Sequence, residues 1–211
     1  MQYGDGVTEP ALSQRERNRI DTWHAIHEAA YTLASNVGPA ATTTEGIASA
    51  AGVSRRTFFN YFPTKEDAVL GTRVPRVDDA DIEKFRASAD DELTRVVRLF
   101  VSVARTSLPE VSIMRRRRIV AEHPELRQRV IRLVSEVERL VTEVLQTRVE
   151  DGAFVDLSVV DDADHLEALM MLAGTIAKYA LSRHQETPAE ASEPFLREAI
   201  AMLRKVVDAT Q

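Results

Sequence analysis

The stretch Thr43–Lys65, TTEGIASAAGVSRRTFFNYFPTK, carries two short helical signals separated by one glycine. Thr43 offers a hydroxyl to the unpaired backbone N–H groups of a helix start, and Thr44, Ile47, Ala48 and Ala51 follow at helical spacing as one face. Gly52 ends that helix, because glycine tolerates positive φ without a Cβ clash. Ala51-Gly52-Val53-Ser54 then reads as a tight turn in which Val53 points inward and Ser54 caps a second helix. Along Ser54 to Phe62, Phe58 and Phe62 lie four apart on an inner face, while Arg55, Arg56, Phe59 and Asn60 take the opposite one. Two helices joined by a short glycine turn form a helix-turn-helix.

The outward residues give this motif its chemistry. An arginine forks onto guanine O6 and N7, an asparagine pairs with adenine, and an exposed aromatic ring meets a thymine methyl, all in the major groove. Pro63 ends the second helix and Thr64 caps a third. Lys65, in the first turn of that third helix, is expected to clamp a phosphate with its ammonium. Thr43, Thr44, Arg55, Arg56, Thr57, Phe59, Asn60, Tyr61 and Lys65 are therefore the candidate DNA-binding residues.

This run resembles the N-terminal DNA-binding domain of TetR-type transcriptional regulators. The matching residues are Thr43, Ile47, Ala48, Ala51, Gly52, Val53, Ser54, Thr57, Phe62, Pro63, Thr64, Lys65 and Glu66. The family often carries a phosphate-contacting tyrosine where this chain has Phe59, and Asn60-Tyr61 replaces a Tyr-His pair. Phe59 cannot donate a hydrogen bond, which leaves Tyr61 or Thr57 to supply that contact.

Composition agrees with a helical, packed protein. The 211 residues suffice for one large or two small domains, and apolar content of 44% with charged content of 28% is ordinary for a globular chain. Cysteine is absent, which excludes disulfides and thiolate metal sites. Residues 1–14 lack the basic-then-apolar layout of a leader and no stretch approaches a membrane span, so a cytoplasmic protein is expected. The net charge of −6 argues against a protein that coats nucleic acid without regard to sequence. From Ala11 to Arg73 there are seven Arg and Lys against six Asp and Glu, and Arg15, Arg17, Arg19, Arg55, Arg56 and Lys65 form two basic groups.

The chain divides into a flexible arm at 1–14, a helix-turn-helix domain at 15–74 and a helical domain at 75–211. Arg15–Val37 steps its apolar residues Trp23, Ile26, Ala30, Leu33 and Val37 at helical intervals before Gly38-Pro39. Pro75 and the aspartates up to Asp81 read as a joint. Helices follow at Glu92–Ser107, Val111–Glu122, Pro124–Val149, Asp161–His184 and Phe195–Ala209. The expected fold is thus all-α, a three-helix DNA-binding domain followed by a bundle.

No catalytic or metal constellation stands out. His24 and His27 are three apart without a third ligand, and a helical metal-dependent enzyme is the rival reading they leave open. No cofactor, catalytic residue or metal ligand is expected. The resemblance implies a double-stranded operator, a homodimer through the helices at 161–184 and 195–209, and a small-molecule effector bound in the bundle that releases a repressor. A DNA-binding dimer without a small ligand is the alternative. Phe85, Phe100, Met114, Met170, Met171 and Tyr179 are candidates to line an apolar effector cavity, with Arg117 from the run Arg115–Arg118 reading an anionic group. The Ala-Glu-His-Pro-Glu-Leu run at 121–126 looks like regulators associated with acyl-CoA-like ligands.

Overall fold

A computed structural model of the chain describes residues 13–108, 113–146, 163–183 and 192–209. Nearly all of the expected N-terminal arm, the end of the long helix at 147–149 and the break at Gly152 lie outside these residues. Among the described residues there are α-helices and no strand, so the protein is all-α. The chain divides into two compact units, Met1–Leu70 and Gly71–Gln211.

The first unit holds α1 (Gln14–Val37), α2 (Thr44–Ala50), α3 (Arg55–Tyr61) and α4 (Lys65–Leu70). Helix α1 opens with a reciprocal capping box between Ser13 and Glu16 and ends at Gly38. Its inward stripe Trp23, Ile26, Ala30 and Ala34 is buried with Ile47, Ala48, Phe58, Phe62 and the apolar end of α4, Ala68–Leu70. Trp23 packs on Phe62 with ring centroids 5.4 Å apart, and Phe62 on Phe58 at 6.1 Å. Phe58 and Phe62 therefore face inward as their spacing requires, which fixes the rotation of α3 about its axis.

The second unit begins with Gly71–Asp78 and continues through α5 (Asp79–Ala87), α6 (Glu92–Ser107), α7 (Ile113–Glu122), a 3-10 turn (Pro124–Leu126), α8 (Arg127–Gln146), α9 (Ala163–Arg183) and α10 (Ser192–Asp208). The aspartates expected to belong to a joint instead start α5. Asp79 and Asp81 sit in its first turn, where the positive end of the helix dipole favours carboxylates. The long helix expected from Pro124 opens with the 3-10 turn, with proline in its first turn, where a missing N–H costs nothing.

Helix α6 is the axis of this unit. Val96, Val97, Phe100, Val103 and Ala104 are buried against Val137, Val141 and Leu145 of α8, Ala173, Ile176 and Ala177 of α9, and Ala199 and Ile200 of α10. The small residues of α9 allow this approach: a Cβ on Gly174 would meet Phe100 Cζ at 3.8 Å and Glu138 Oε1 at 3.4 Å. Ala173 and Ala177 accordingly pack within the chain. The outward side of α9 carries Met171 and Leu172, and that of α10 carries Met202 and Val206, all 40% exposed or more.

Asp91 ties this bundle at one end. It accepts from the Thr94 backbone N–H as the N-cap of α6, and Arg204 of α10 reaches it at 2.6 Å. Burial opposes ionisation of Asp91, but hydrogen bonds from Arg204 and Thr94 outweigh it and hold the carboxyl below the usual aspartate range. Its stabilising contribution is therefore complete above the unfolded value, near 3.9, and is lost as pH falls through the lower folded value. Asp91→Ala should lower stability by about 1 kcal/mol at neutral pH, the usual cost of losing such a cap. Denaturant titrations at neutral pH and at pH 3 check this: the difference between variant and parent should shrink in acid.

Candidate nucleic-acid interface

The turn between α2 and α3 is built by backbone hydrogen bonds. Val53 N–H donates to the Ala48 carbonyl at 2.9 Å and Gly52 N–H to the Ser49 carbonyl at 3.2 Å, a Schellman closure that needs the positive φ of 67° found at Gly52. Ser54 then caps α3 by accepting from the Thr57 N–H at 3.0 Å, and Thr43 caps α2 by accepting from the Gly46 N–H at 3.1 Å. Both helix starts are thus fixed by local hydroxyls.

With Phe58 buried, α3 turns Arg55, Arg56, Phe59 and Asn60 to solvent, and Thr57 and Tyr61 lie half-buried beside them. Phe59 is 46% exposed. The Arg55 guanidinium stands over that ring, 5.6 Å from its centroid. Arg56 makes no hydrogen bond, ion pair or ring contact among the described residues, so its fork is available to a partner. Arg15, Arg17 and Arg19 are exposed along the first turns of α1.

Two features were not visible in the sequence. The first is Glu45 of α2, which pairs with Arg55 at 3.1 Å and accepts from the Thr44 hydroxyl at 3.0 Å. One carboxylate thereby holds two of the expected DNA-binding side chains. Its own backbone N–H, the Thr44 hydroxyl and, less strongly, Arg55 keep this carboxyl below the ordinary glutamate range, so it is ionised at neutral pH. An exposed pair contributes little to folding, so Glu45→Gln should leave the fold intact while freeing Arg55 and deleting a charge that repels phosphate. We expect several-fold tighter binding of random duplex and a smaller ratio of specific to random affinity. Titrations of both duplexes at one salt concentration read this directly, and unchanged affinities would refute it.

The second concerns Lys65. Its ammonium donates to the carbonyls of Pro39 and Thr42, both at 2.8 Å, and approaches that of Ala40 at 3.4 Å. The expected phosphate clamp is thus an internal clamp in this structure. The chain between α1 and α2 turns back on the start of α4, and its carbonyls, without helical partners, take up the ammonium donors. Thr64 supports the arrangement by accepting from the Asp67 N–H at 3.1 Å.

The two histidines of α1 have different surroundings. His24 is exposed, whereas His27 is buried, stacks on Trp23 and places Nδ1 2.7 Å from the Ala68 carbonyl. Among the described residues no group of three His, Cys, Asp or Glu is placed to hold a metal ion, and no helix is long and apolar enough to cross a membrane.

In the second unit the expected effector-lining residues are dispersed. Phe100 and Met170 are buried in the core, and Tyr179 packs against it. Met114 and Met171 are exposed. Arg117 lies half-buried on α7. Phe85, buried in the same core, also borders a cavity of about 430 Å³ whose other walls include Lys84, Arg95, Arg98, Leu99 and Arg105. The run Arg115–Arg118 is divided: Arg118 pairs with Glu122 at 2.9 Å, while Arg116 approaches the Gly71 carbonyl at 3.4 Å. Burial pushes the Arg116 guanidinium down to about 10, which leaves it charged at neutral pH.

A capped helix-turn-helix with an inward aromatic pair and an outward basic and amide face defines a DNA-binding regulator. Residues 26–70 match the model of the tetR family of bacterial regulatory proteins. That match assigns the helix-turn-helix unit, and not the whole chain, to the tetR family of bacterial regulatory proteins. Among solved structures, the crystal structure of PfmR, a TetR family transcriptional regulator from Thermus thermophilus, is similar at 18% identity. The likeness covers 85% of this chain and 97% of that one, with a TM-score of 0.35. No curated protein matches.

Proposed function

We propose that the chain is a repressor that binds a near-palindromic operator as a homodimer and leaves it when a small effector binds the second unit. The observation that supports this best is the orientation of α3: burying Phe58 and Phe62 commits Arg55, Arg56, Phe59 and Asn60 to an exposed face. Those side chains form the base-reading set, and Thr43, Thr44, Thr57 and Tyr61 supply hydroxyls to flanking phosphates. Two such readers would enter successive major grooves about 34–36 Å apart.

Dimerisation is supported by the exposed apolar residues Met171, Leu172, Met202 and Val206 on α9 and α10, which a two-fold related copy would cover. Effector control requires differential affinity for two states, tenfold in DNA binding for about each 1.4 kcal/mol. The path from effector to reader would run through Gly71–Asp78, which α6 holds. Arg73 N–H donates to the Ser107 carbonyl at 2.9 Å and Arg76 N–H to the Thr106 hydroxyl at 2.9 Å. The dense packing of Phe100 and Met170 favours a second reading, a DNA-binding dimer without a ligand in the interior of the bundle.

The test is selection of duplexes from a random library by the purified protein at physiological salt. Recovery of a two-fold symmetric motif, lost in Arg55→Ala/Arg56→Ala, is the expected result. A folded protein that enriches no sequence would overturn the reading.

A further inference from the structure

The guanidinium of Arg55 is restrained on two sides. Its Nε lies 3.1 Å from Glu45 Oε1 across the turn, and its central carbon stands 5.6 Å from the centroid of the Phe59 ring. That ring meets Phe58 edge-on, with centroids 5.3 Å apart, and Phe58 is fully buried. A chain of contacts thus runs from the core of the first unit through Phe58 and Phe59 to Arg55, and Glu45 closes it from α2. An exposed ion pair alone contributes little to folding. Acting together on one guanidinium, the pair and the ring fix its position and reduce the entropy lost when it meets a partner.

The atoms already engaged decide what is left for DNA. Glu45 occupies the Nε side of Arg55, so the two terminal amino groups stay open, and these are the pair that forks onto guanine O6 and N7. Phe59 touches Arg55 and Phe58 yet remains 46% exposed. Without a hydroxyl it has no hydrogen bond to give a phosphate, and the apolar group that the major groove offers its open surface is the C5 methyl of thymine. Spacing joins the two contacts. Successive base pairs are about 3.4 Å apart along a strand, so groups 5.6 Å apart span fewer than two steps and address neighbouring pairs.

We propose that Glu45, Arg55 and Phe59 act as one preset reader of a two-base-pair step, in which the Arg55 fork meets a guanine and Phe59 meets the C5 methyl of a pyrimidine in the neighbouring pair. Thymine supplies that methyl and so does 5-methylcytosine, whereas cytosine does not. Each half-site therefore holds a guanine beside a methyl-bearing pyrimidine, and affinity at that step follows the methyl. Glu45 is a positioning residue, acting through Arg55. The proposal rests on the reading of α3 as the base-reading helix.

The experiment takes an operator from the duplex selection, exchanges single bases in one half-site and measures the affinity of the full chain. Deoxyuridine in place of thymine removes only the methyl, and 7-deazaguanine in place of guanine removes only the N7 acceptor. One thymine should lose about fourfold on this exchange, the size of one buried methyl, and 5-methylcytosine there should bind about fourfold more tightly than cytosine. The neighbouring guanine should lose about tenfold, the size of one hydrogen bond from a charged group. Phe59→Ala should erase the methyl effect and keep the guanine effect, and Arg55→Ala should erase the guanine effect. Glu45→Gln should shrink the guanine effect while Trp23 fluorescence, which reports the core of this unit, shows an intact fold. A half-site with no methyl effect that depends on Phe59, or an Arg55-dependent guanine that is not its neighbour, overturns the reader while α3 still selects sequence. A guanine effect unchanged in Glu45→Gln removes the positioning role. Failure of the selection to enrich any sequence overturns the proposal together with the reading of α3.

Discussion

Arg56→Ala is expected to weaken operator binding by about 1–3 kcal/mol and to relax selection at one base position in each half-site. That loss corresponds to roughly 5- to 150-fold in affinity. Three observations set this size. Arg56 lies on the outward side of α3 with Arg55 and Asn60, its neighbour Arg55 is engaged by Glu45, and Arg56 itself has no partner among the described residues. Its guanidinium can therefore meet a guanine edge without first breaking an internal contact, and leaving that base unpaired costs the interaction. Random duplex offers the same residue only a phosphate, so the loss there should be small. Arg56→Lys separates the two roles: it keeps the charge and loses the fork, and should bind random duplex as the parent does while losing selectivity. Selections with parent and variants, analysed position by position, check this. Equal losses on specific and random duplexes would assign Arg56 to the phosphate backbone instead.

Much of this arrangement was legible in the sequence because its determinants are local. The Thr43 and Ser54 caps, the glycine at positive φ and the four-residue step from Phe58 to Phe62 act over a few residues, and each left its mark at a fixed offset. The Ser13–Glu16 capping box was equally local and marks the start of α1, one residue before the expected Arg15. The remaining determinants arise between elements. Glu45 meets Arg55 only because the turn folds α3 back on α2, and no helical spacing relates two residues ten apart across a glycine. The ammonium of Lys65 lies against carbonyls more than twenty residues away. In the second unit, apolar periodicity identified the helices but not which apolar residues border a void. Phe100 and Phe85 look alike in sequence and both are buried in the core, yet Phe85 also walls a cavity.

Lys65→Met should lower the stability of the DNA-binding unit by about 2 kcal/mol, within the range for hydrogen bonds to a charged group. Methionine keeps the length of the apolar stem and removes the ammonium, so the carbonyls of Pro39 and Thr42 lose their donor while packing changes little. The side chain is half-buried, and water can replace part of what is lost, which limits the effect. Trp23 is the chain's single tryptophan and is buried in the first unit beside Phe62, so its fluorescence reports unfolding there and not in the bundle. The consequence for DNA follows from position. The clamped carbonyls precede Thr43, whose hydroxyl caps α2, so loosening them misplaces the start of α2 on every duplex alike. Affinity for specific and random DNA should fall together, with the dependence on salt unchanged, because no phosphate contact has been deleted. A direct phosphate contact gives the opposite pair of results: stability close to the parent, and a salt slope reduced by about 0.9 per half-site. Fluorescence-monitored denaturation and binding at several salt concentrations therefore assign Lys65 either to the scaffold that presents the reader or to the reader itself.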